Sequence, residues 1–250
     1  MPGLQDLYLS EMHVCQIEQP VERAGETAVE PVVGVVLAGG WSRRFGCDKT
    51  GLRIQSVNGA QGEQSLLLRA ACVLEGLLGD PARVFVSCRP VEGEADERGL
   101  RIRREAAERG YGVVEDRFPG DGTLRAVYSA LEQTRRACLV IPCDLPCMDR
   151  ATLGELLAFR EDKRREGRNS LCTCFFDTVY GATQPLVAVY ETEALDLFRK
   201  AVAAGKYKLA AVVPPDLTDC LRYGEEKAFF FQNVNYPEDW ERIRRAVKAL

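Results

Sequence analysis

The chain has a single histidine, His13, and no Cys-x2-Cys pair in 250 residues. Ten cysteines would suffice for a zinc or iron–sulfur site, but Cys143-x3-Cys147 and Cys172-x-Cys174 stand alone, without the paired spacing such sites use. Cys72, Cys88 and Cys138 fall inside apolar runs, where a thiol acts as a small hydrophobe; reduced, structural cysteines in a cytoplasmic setting are expected. No apolar run is long enough to span a bilayer. The first residues hold Glu and Asp rather than a basic region ahead of an apolar core, so no signal peptide is expected. Gly-x4-Gly-Lys-Ser/Thr is missing, and Gly120-x-Gly122 lacks the third glycine of a dinucleotide fingerprint, which excludes two well-known phosphate-binding signatures. With a formal net charge of −4, nothing global attracts nucleic acid or an anionic membrane.

What is present begins at residue 31. Residues 1–30 show no sustained period and are expected to be an N-terminal extension, disordered or strapped over the surface; residues 31–250 are expected to form one domain. That domain opens with Val32-Val33-Gly34-Val35-Val36-Leu37, the composition of a strand buried on both faces of a parallel sheet. The run empties into Ala38-Gly39-Gly40-Trp41-Ser42-Arg43-Arg44-Phe45-Gly46-Cys47-Asp48-Lys49. Glycines let backbone N–H groups approach a ligand, consecutive amides form an anion-binding nest, and Arg43, Arg44, Lys49 and Arg53 add positive charge against Asp48 alone. A small anionic ligand suits this local charge better than a polymer.

Further along, Ser56–Gly62 is a turn-rich insertion, and Ser65 caps a helix that Gly79 and Pro81 stop. Val84–Val86 is a strand, 94–109 a peripheral helix with a weak apolar face, and Val113-Val114 a third strand running into Glu115-Asp116. Leu124, Val127, Tyr128 and Leu131 keep helical spacing, and Cys138–Ile141 is a fourth strand ending in Pro142-Cys143-Asp144-Leu145-Pro146. Asp149 caps the next helix. Strands are expected over 171–176 and 186–190 around a turn at Tyr180-Gly181-Ala182, with helices over 193–204 and from Pro237 onward. This alternation predicts an α/β fold, a three-layer, doubly wound, mostly parallel sheet. In such a sheet the loops after the first four strands leave from one edge, where ligands bind. The glycine loop, Ser87, Asp116 and Asp144 are therefore expected at one site.

The residues there suit phosphate chemistry. Asp144, at a strand end between two prolines, is a hard oxygen ligand placed to hold Mg²⁺ against phosphates. Lys49 and Arg44 would stabilise negative charge that develops during transfer. Asp116 has two readings: an acceptor for a ribose hydroxyl or base amine, or a turn-former ahead of Pro119-Gly120-Asp121-Gly122. Asn233 and Asn235 lie on one side of an extended segment and either orient a phosphate or metal-bound water, or cap the last helix.

Leu37-Ala38-Gly39-Gly40-x-Ser42-x-Arg44-Phe45-Gly46-x-Asp48-Lys49 resembles the signature loop of the molybdenum cofactor guanylyltransferases, a nucleotidyltransferase family with a Rossmann-like fold. Val114-Glu115-Asp116, Pro142-Cys143-Asp144-Leu145-Pro146, Gln184-Pro185-Leu186 and Asn233-Val234-Asn235-Tyr236-Pro237-Glu238-Asp239 recur in the family's order. The Gly-Gly form points to the guanylyl branch, against the Ala-Gly of cytidylyl- and uridylyltransferases. The resemblance implies transfer of GMP from GTP, with Mg²⁺, to the terminal phosphate of molybdopterin, giving the guanine dinucleotide cofactor and pyrophosphate. It implies GTP contacts from Leu37, Ala38, Gly39, Lys49, Asp116 and Asp144, with Asp144 on Mg²⁺, and roles in turnover for Arg44, Asn233 and Asn235; Gly40 of the loop and Ser87, where the family more usually has Asn, complete the expected nucleotide-binding set. Cofactor biosynthesis proteins or acceptor molybdoenzymes would be partners. Where the family usually reads Gly-Pro-Leu-Ala-Gly, this chain has Gly122-Thr123-Leu124-Arg125-Ala126. Transfer of CMP, or a non-catalytic cofactor-delivery role on the same fold, are the alternatives.

Overall fold

A computed structural model describes residues 31–40, 45–46, 48–55, 62–91, 93, 96–118 and 122–248. The expected extension over 1–30 and the central part of the 55–64 insertion lie outside the described residues. The elements in chain order begin with β1 (Val33–Leu37), β2 (Arg53–Gln55), β3 (Glu63–Ser65), α1 (Leu66–Leu78), β4 (Val84–Cys88) and α2 (Glu97–Glu108). They continue with β5 (Gly112–Glu115), α3 (Thr123–Thr134), β6 (Cys138–Pro142), α4 (Arg150–Arg165), β7 (Cys172–Asp177) and β8 (Ala182–Tyr190). The last are α5 (Leu195–Ala203), β9 (Thr218–Tyr223) and α6 (Pro237–Lys248).

Seven strands form one sheet in the order β5-β4-β1-β6-β8-β7-β9. Strands β5, β4, β1 and β6 pair in parallel, as the strand–helix rhythm predicts. β8 runs antiparallel to both β6 and β7, and β9 is parallel to β7. β8 alone therefore opposes the rest. β9 was not anticipated, because Thr218-Asp219-Cys220-Leu221-Arg222-Tyr223 is too polar to announce a strand on periodicity. The flanks of the insertion are a second surprise: β2 and β3 pair antiparallel into a small hairpin.

Alternation along the strands sorts the core into two faces. Val36, Val84, Val86, Leu139 and Ile141 pack against α1, α2 and α4 through Leu67, Leu74, Ile102, Leu153 and Leu156. Val33, Val35, Val114, Cys138 and Val140 face α3 and α5 through Leu124, Val127, Leu131 and Phe198. Three layers result, as expected. A third cluster seats α6 on the hairpin and the first residue of α1, with Trp240, Ile243 and Val247 in one cluster with Ile54 and Leu66.

Helix ends follow local chemistry. Ser65 Oγ accepts from Leu68 N at 3.1 Å and Asp149 Oδ1 from Thr152 N at 2.8 Å, so both caps are those expected. Gly79, at φ 73°, ends α1. The eight described cysteines are free thiols. Among the described residues, no group of three or more His, Cys, Asp or Glu could hold a metal by itself, and no helix is long and apolar enough to cross a membrane.

Candidate functional site

The strand order reverses between β1 and β6: the chain leaves β1 for β4 and β5 on one side and returns to β6 on the other. Loops diverge at such a point and leave a crevice at the carboxyl edge. A cleft of about 500 Å³ occupies that position. The strand ends are registered past the ladder itself: Ala38 N donates to Ser87 O and Asp116 N to Cys88 O, each at 2.9 Å, and Cys143 N to Leu37 O at 3.4 Å.

Of the residues singled out from the sequence, Leu37, Ala38, Gly39, Gly40, Lys49, Asp116, Asp144 and Asn235 line this cleft together. Ser87 stands behind it: fully buried, it donates to Asp116 Oδ1 at 2.7 Å and so orients the carboxylate from below. Asn233 is exposed and does not line the cleft. Residues two apart share a side only in a regular strand; 232–235 is not one, and of the two asparagines Asn235 alone lines the cleft, next to Val234, whose N–H donates to Asp144 O at 2.9 Å. Arg43 and Arg44 lie outside the described residues. Arg53, counted with the loop's positive charge, instead belongs to the hairpin, where Nη2 donates to Glu63 O at 2.6 Å.

Lys49 and Asp144 are the centre of the site. Lys49 Nζ lies 2.9 Å from Asp144 Oδ2, 2.8 Å from Val234 O and 3.5 Å from Asn235 Oδ1. Three segments far apart in sequence thus meet at one ammonium group. The Asp144 side chain stays 22% exposed to the cleft. A single partly exposed carboxylate fits Mg²⁺, which holds several waters and binds through one or two carboxylates plus substrate phosphates. Among the described residues the cleft has no cage for a resident metal, and its donor set suits one that arrives with a nucleotide.

Asp116 is 5% exposed. Burial pushes its carboxyl above the usual 3.8, against the opposing pull of the Ser87 hydroxyl and the Arg125 and Arg89 guanidiniums. Arg125 Nη2 lies 3.5 Å from Asp116 Oδ2. A Cβ on Gly39 would stand 2.7 Å from that same oxygen, so only glycine allows the loop this close to Asp116. Cys143 sits between Pro142 and Asp144, and burial pushes its thiol up to about 12, which keeps it neutral and unreactive.

Sequence reasoning missed Arg89 and Arg98. Both line the cleft, with Arg125, and they add positive charge beside that of Lys49. Helix α2, taken for a peripheral element, carries Arg98 to the glycine loop, where Nη2 donates to Ala38 O at 2.6 Å and Gly40 O at 2.7 Å. Arg98 and Arg101 are three apart on the polar face of a helix that follows a site strand; that spacing was the available signal. Both reach Asp48, and although burial opposes it, the Thr50 and Arg101 hydrogen bonds and the Arg98 charge hold Asp48 below 3.8.

Comparison with known proteins agrees with this geometry. The family model for the MobA-like NTP transferase domain matches residues 34–216. A probable molybdenum cofactor guanylyltransferase of Chloroflexus aggregans is 34% identical over 185 residues, covering 72% of this chain and 75% of that protein. Another, from Pelotomaculum thermopropionicum, is 30% identical over 225 residues, covering 84% and 91%. A molybdenum cofactor biosynthesis bifunctional protein of Synechocystis is 26% identical over 227 residues, which span 89% of this chain but 57% of that longer protein. Among solved structures, the molybdopterin-guanine dinucleotide biosynthesis protein A of Archaeoglobus fulgidus superposes with a TM-score of 0.62 at 19% identity, covering 88% of this chain and 100% of that one. A cytidylyltransferase from Leptospira borgpetersenii has a TM-score of 0.59 at 14% identity, covering 88% of each chain. These two likenesses show the fold.

Proposed function

The chain belongs to the MobA-like NTP transferase family, and on that premise we propose that it transfers GMP from GTP to molybdopterin-bound molybdenum cofactor. The observation that carries the reading is the meeting of Lys49 with Asp144 and Asn235 at the β1–β6 switch point. In this reading Leu37, Ala38, Gly39 and Gly40 receive the nucleotide, with the triphosphate along the loop. Asp116 accepts from the nucleoside, and Ser87 and Arg125 hold it in place. Lys49, released from Asp144 when phosphate enters, brings its charge to the reacting group. Asp144 would hold Mg²⁺, which when bound would neutralise charge on the phosphates. Asn235, which lines the cleft and touches Lys49 at 3.5 Å, would meet the acceptor in this reading. A terminal phosphate oxygen of the acceptor attacks the α-phosphorus, the bond to the bridging β-oxygen breaks, and pyrophosphate leaves. Loss of charge stabilisation at such a step typically costs ~10²–10³ in rate.

Pyrophosphate release is the direct assay, run with molybdenum cofactor and each of GTP, CTP, ATP and UTP. Release with GTP alone is expected. Release with CTP alone would make the chain a cytidylyltransferase, and none with any nucleotide would make it a carrier. Asp144→Asn is expected to lower turnover at least ~100-fold while its circular dichroism spectrum stays that of the wild type. Full activity in that variant would remove Asp144 from the metal.

A further inference from the structure

Three consecutive carbonyl oxygens of the segment after β1 are gripped from outside it. Arg98, in the first turn of α2, takes Ala38 O and Gly40 O through one Nη2, at 2.6 and 2.7 Å. Arg89, one residue past β4, takes Gly39 O through Nε at 3.1 Å. In a trans peptide the carbonyl and the following N–H point in opposite directions. Holding the carbonyls of residues 38 and 39 therefore fixes the directions of the Gly39 and Gly40 amides, which two adjacent glycines would otherwise leave free.

Arg98 is itself anchored. Its Nε lies 3.0 Å from Asp48 Oδ1, and Arg101 Nη2 lies 2.6 Å from Asp48 Oδ2. Asp48 Oδ1 accepts from Thr50 N at 3.1 Å and so shapes the turn that carries Lys49. Helix α2 is thus tied to the glycine loop through Arg98 and, through Asp48, to the turn that carries Lys49.

We propose that Arg98, assisted by Arg89, is a positioning residue of the transfer reaction: it preorganises the amides of the glycine loop, and through Asp48 the Lys49 turn, to receive a nucleoside triphosphate. This rests on the nucleotidyl-transfer reading. A loop already ordered loses little conformational freedom on binding, so the contribution appears in nucleotide affinity rather than in the chemical step. Arg is required because its planar fork reaches the carbonyls and the carboxylate together, which an ammonium group cannot do.

The test is calorimetric titration of Mg²⁺-GTP into the full chain without acceptor, beside steady-state kinetics and thermal melts, for Arg98→Ala, Arg98→Lys and Arg104→Ala. Arg98→Ala is expected to raise Kd and KM for GTP about tenfold, the scale of one or two lost charge-assisted hydrogen bonds, with kcat within about threefold. Arg98→Lys should share most of that loss. Arg104→Ala, on the exposed side of α2, controls for net charge and should bind as the wild type does. An unchanged Kd in Arg98→Ala, an equal loss in Arg104→Ala, or a fall in melting temperature and kcat without a shift in Kd would overturn the proposal. If Arg98→Ala does not fold, Arg98→Lys carries the same comparison. A wild-type chain that binds no GTP would instead defeat the guanylyl-transfer reading, which separates the two failures.

Discussion

At the scale of single residues, the cleft sets a buried carboxylate against stability. Asp116 is held above its usual value chiefly by burial, so the folded chain binds its proton more tightly than the unfolded one. Between 3.8 and that raised value the native state holds more protons than the unfolded state, and this group's contribution to stability falls as pH rises through the window. Asp116→Asn removes that component. The slope of melting temperature against pH on rising above 3.8 is expected to be more positive in the variant than in the wild type, a difference that paired melts would read. The slope comparison is insensitive to any pH-independent change in stability that the substitution brings. Under the proposed function, in which Asp116 accepts from the nucleoside, GTP affinity should fall in the same variant. Ser87, buried beneath, was legible as a strand-end residue but not as the donor that aims Asp116.

At the scale of elements, the glycine loop is placed by how tightly α1 lies on β1. A Cβ on Gly34 would stand 3.0 and 3.1 Å from Leu74 Cδ1 and Cβ, and 3.1 Å from Leu78 Cδ1. Gly34→Ala therefore needs α1 or its leucines to give by a few tenths of an ångström in a close-packed layer. The expected cost is about 1–3 kcal/mol, seen as a lower denaturant midpoint with an unchanged m-value. Local rules wrote most of these elements: caps at Ser65 and Asp149, a glycine stop, and apolar positions at helical spacing. The rules failed at α2, whose charged residues look solvated but serve the cleft, and at β9, a polar strand that exists because β7 offers it a ladder from Cys172 to Asp177.

At the scale of the whole molecule, the far edge of the sheet is held by charge as well. Arg160, 1% exposed, forks onto Glu191 with Nε–Oε1 at 2.6 Å and Nη2–Oε2 at 2.7 Å, joining α4 to the end of β8 away from the cleft. Arg160→Met strands a buried carboxylate with Arg164 as its remaining partner at 3.2 Å, and should lose about 3–5 kcal/mol in urea unfolding. Arg160→Met with Glu191→Leu should recover most of it, and turnover below the unfolding range should hold in both, since the pair is remote from the chemistry. Periodicity and capping in the sequence determined the alternation of strands and helices, and the parallel sheet that follows gathers the loop after β1, Asp116 and Asp144 at one edge. Tertiary structure alone decided that Lys49 rests on Asp144, that Asn233 turns away while Asn235 joins them, and that Arg98 holds the cradle. Arg98 meets carbonyls 60 and 58 residues away, and every residue type presents the same carbonyl. No side-chain pattern reports such a bond; only the folded backbone brings the donor and its acceptors together.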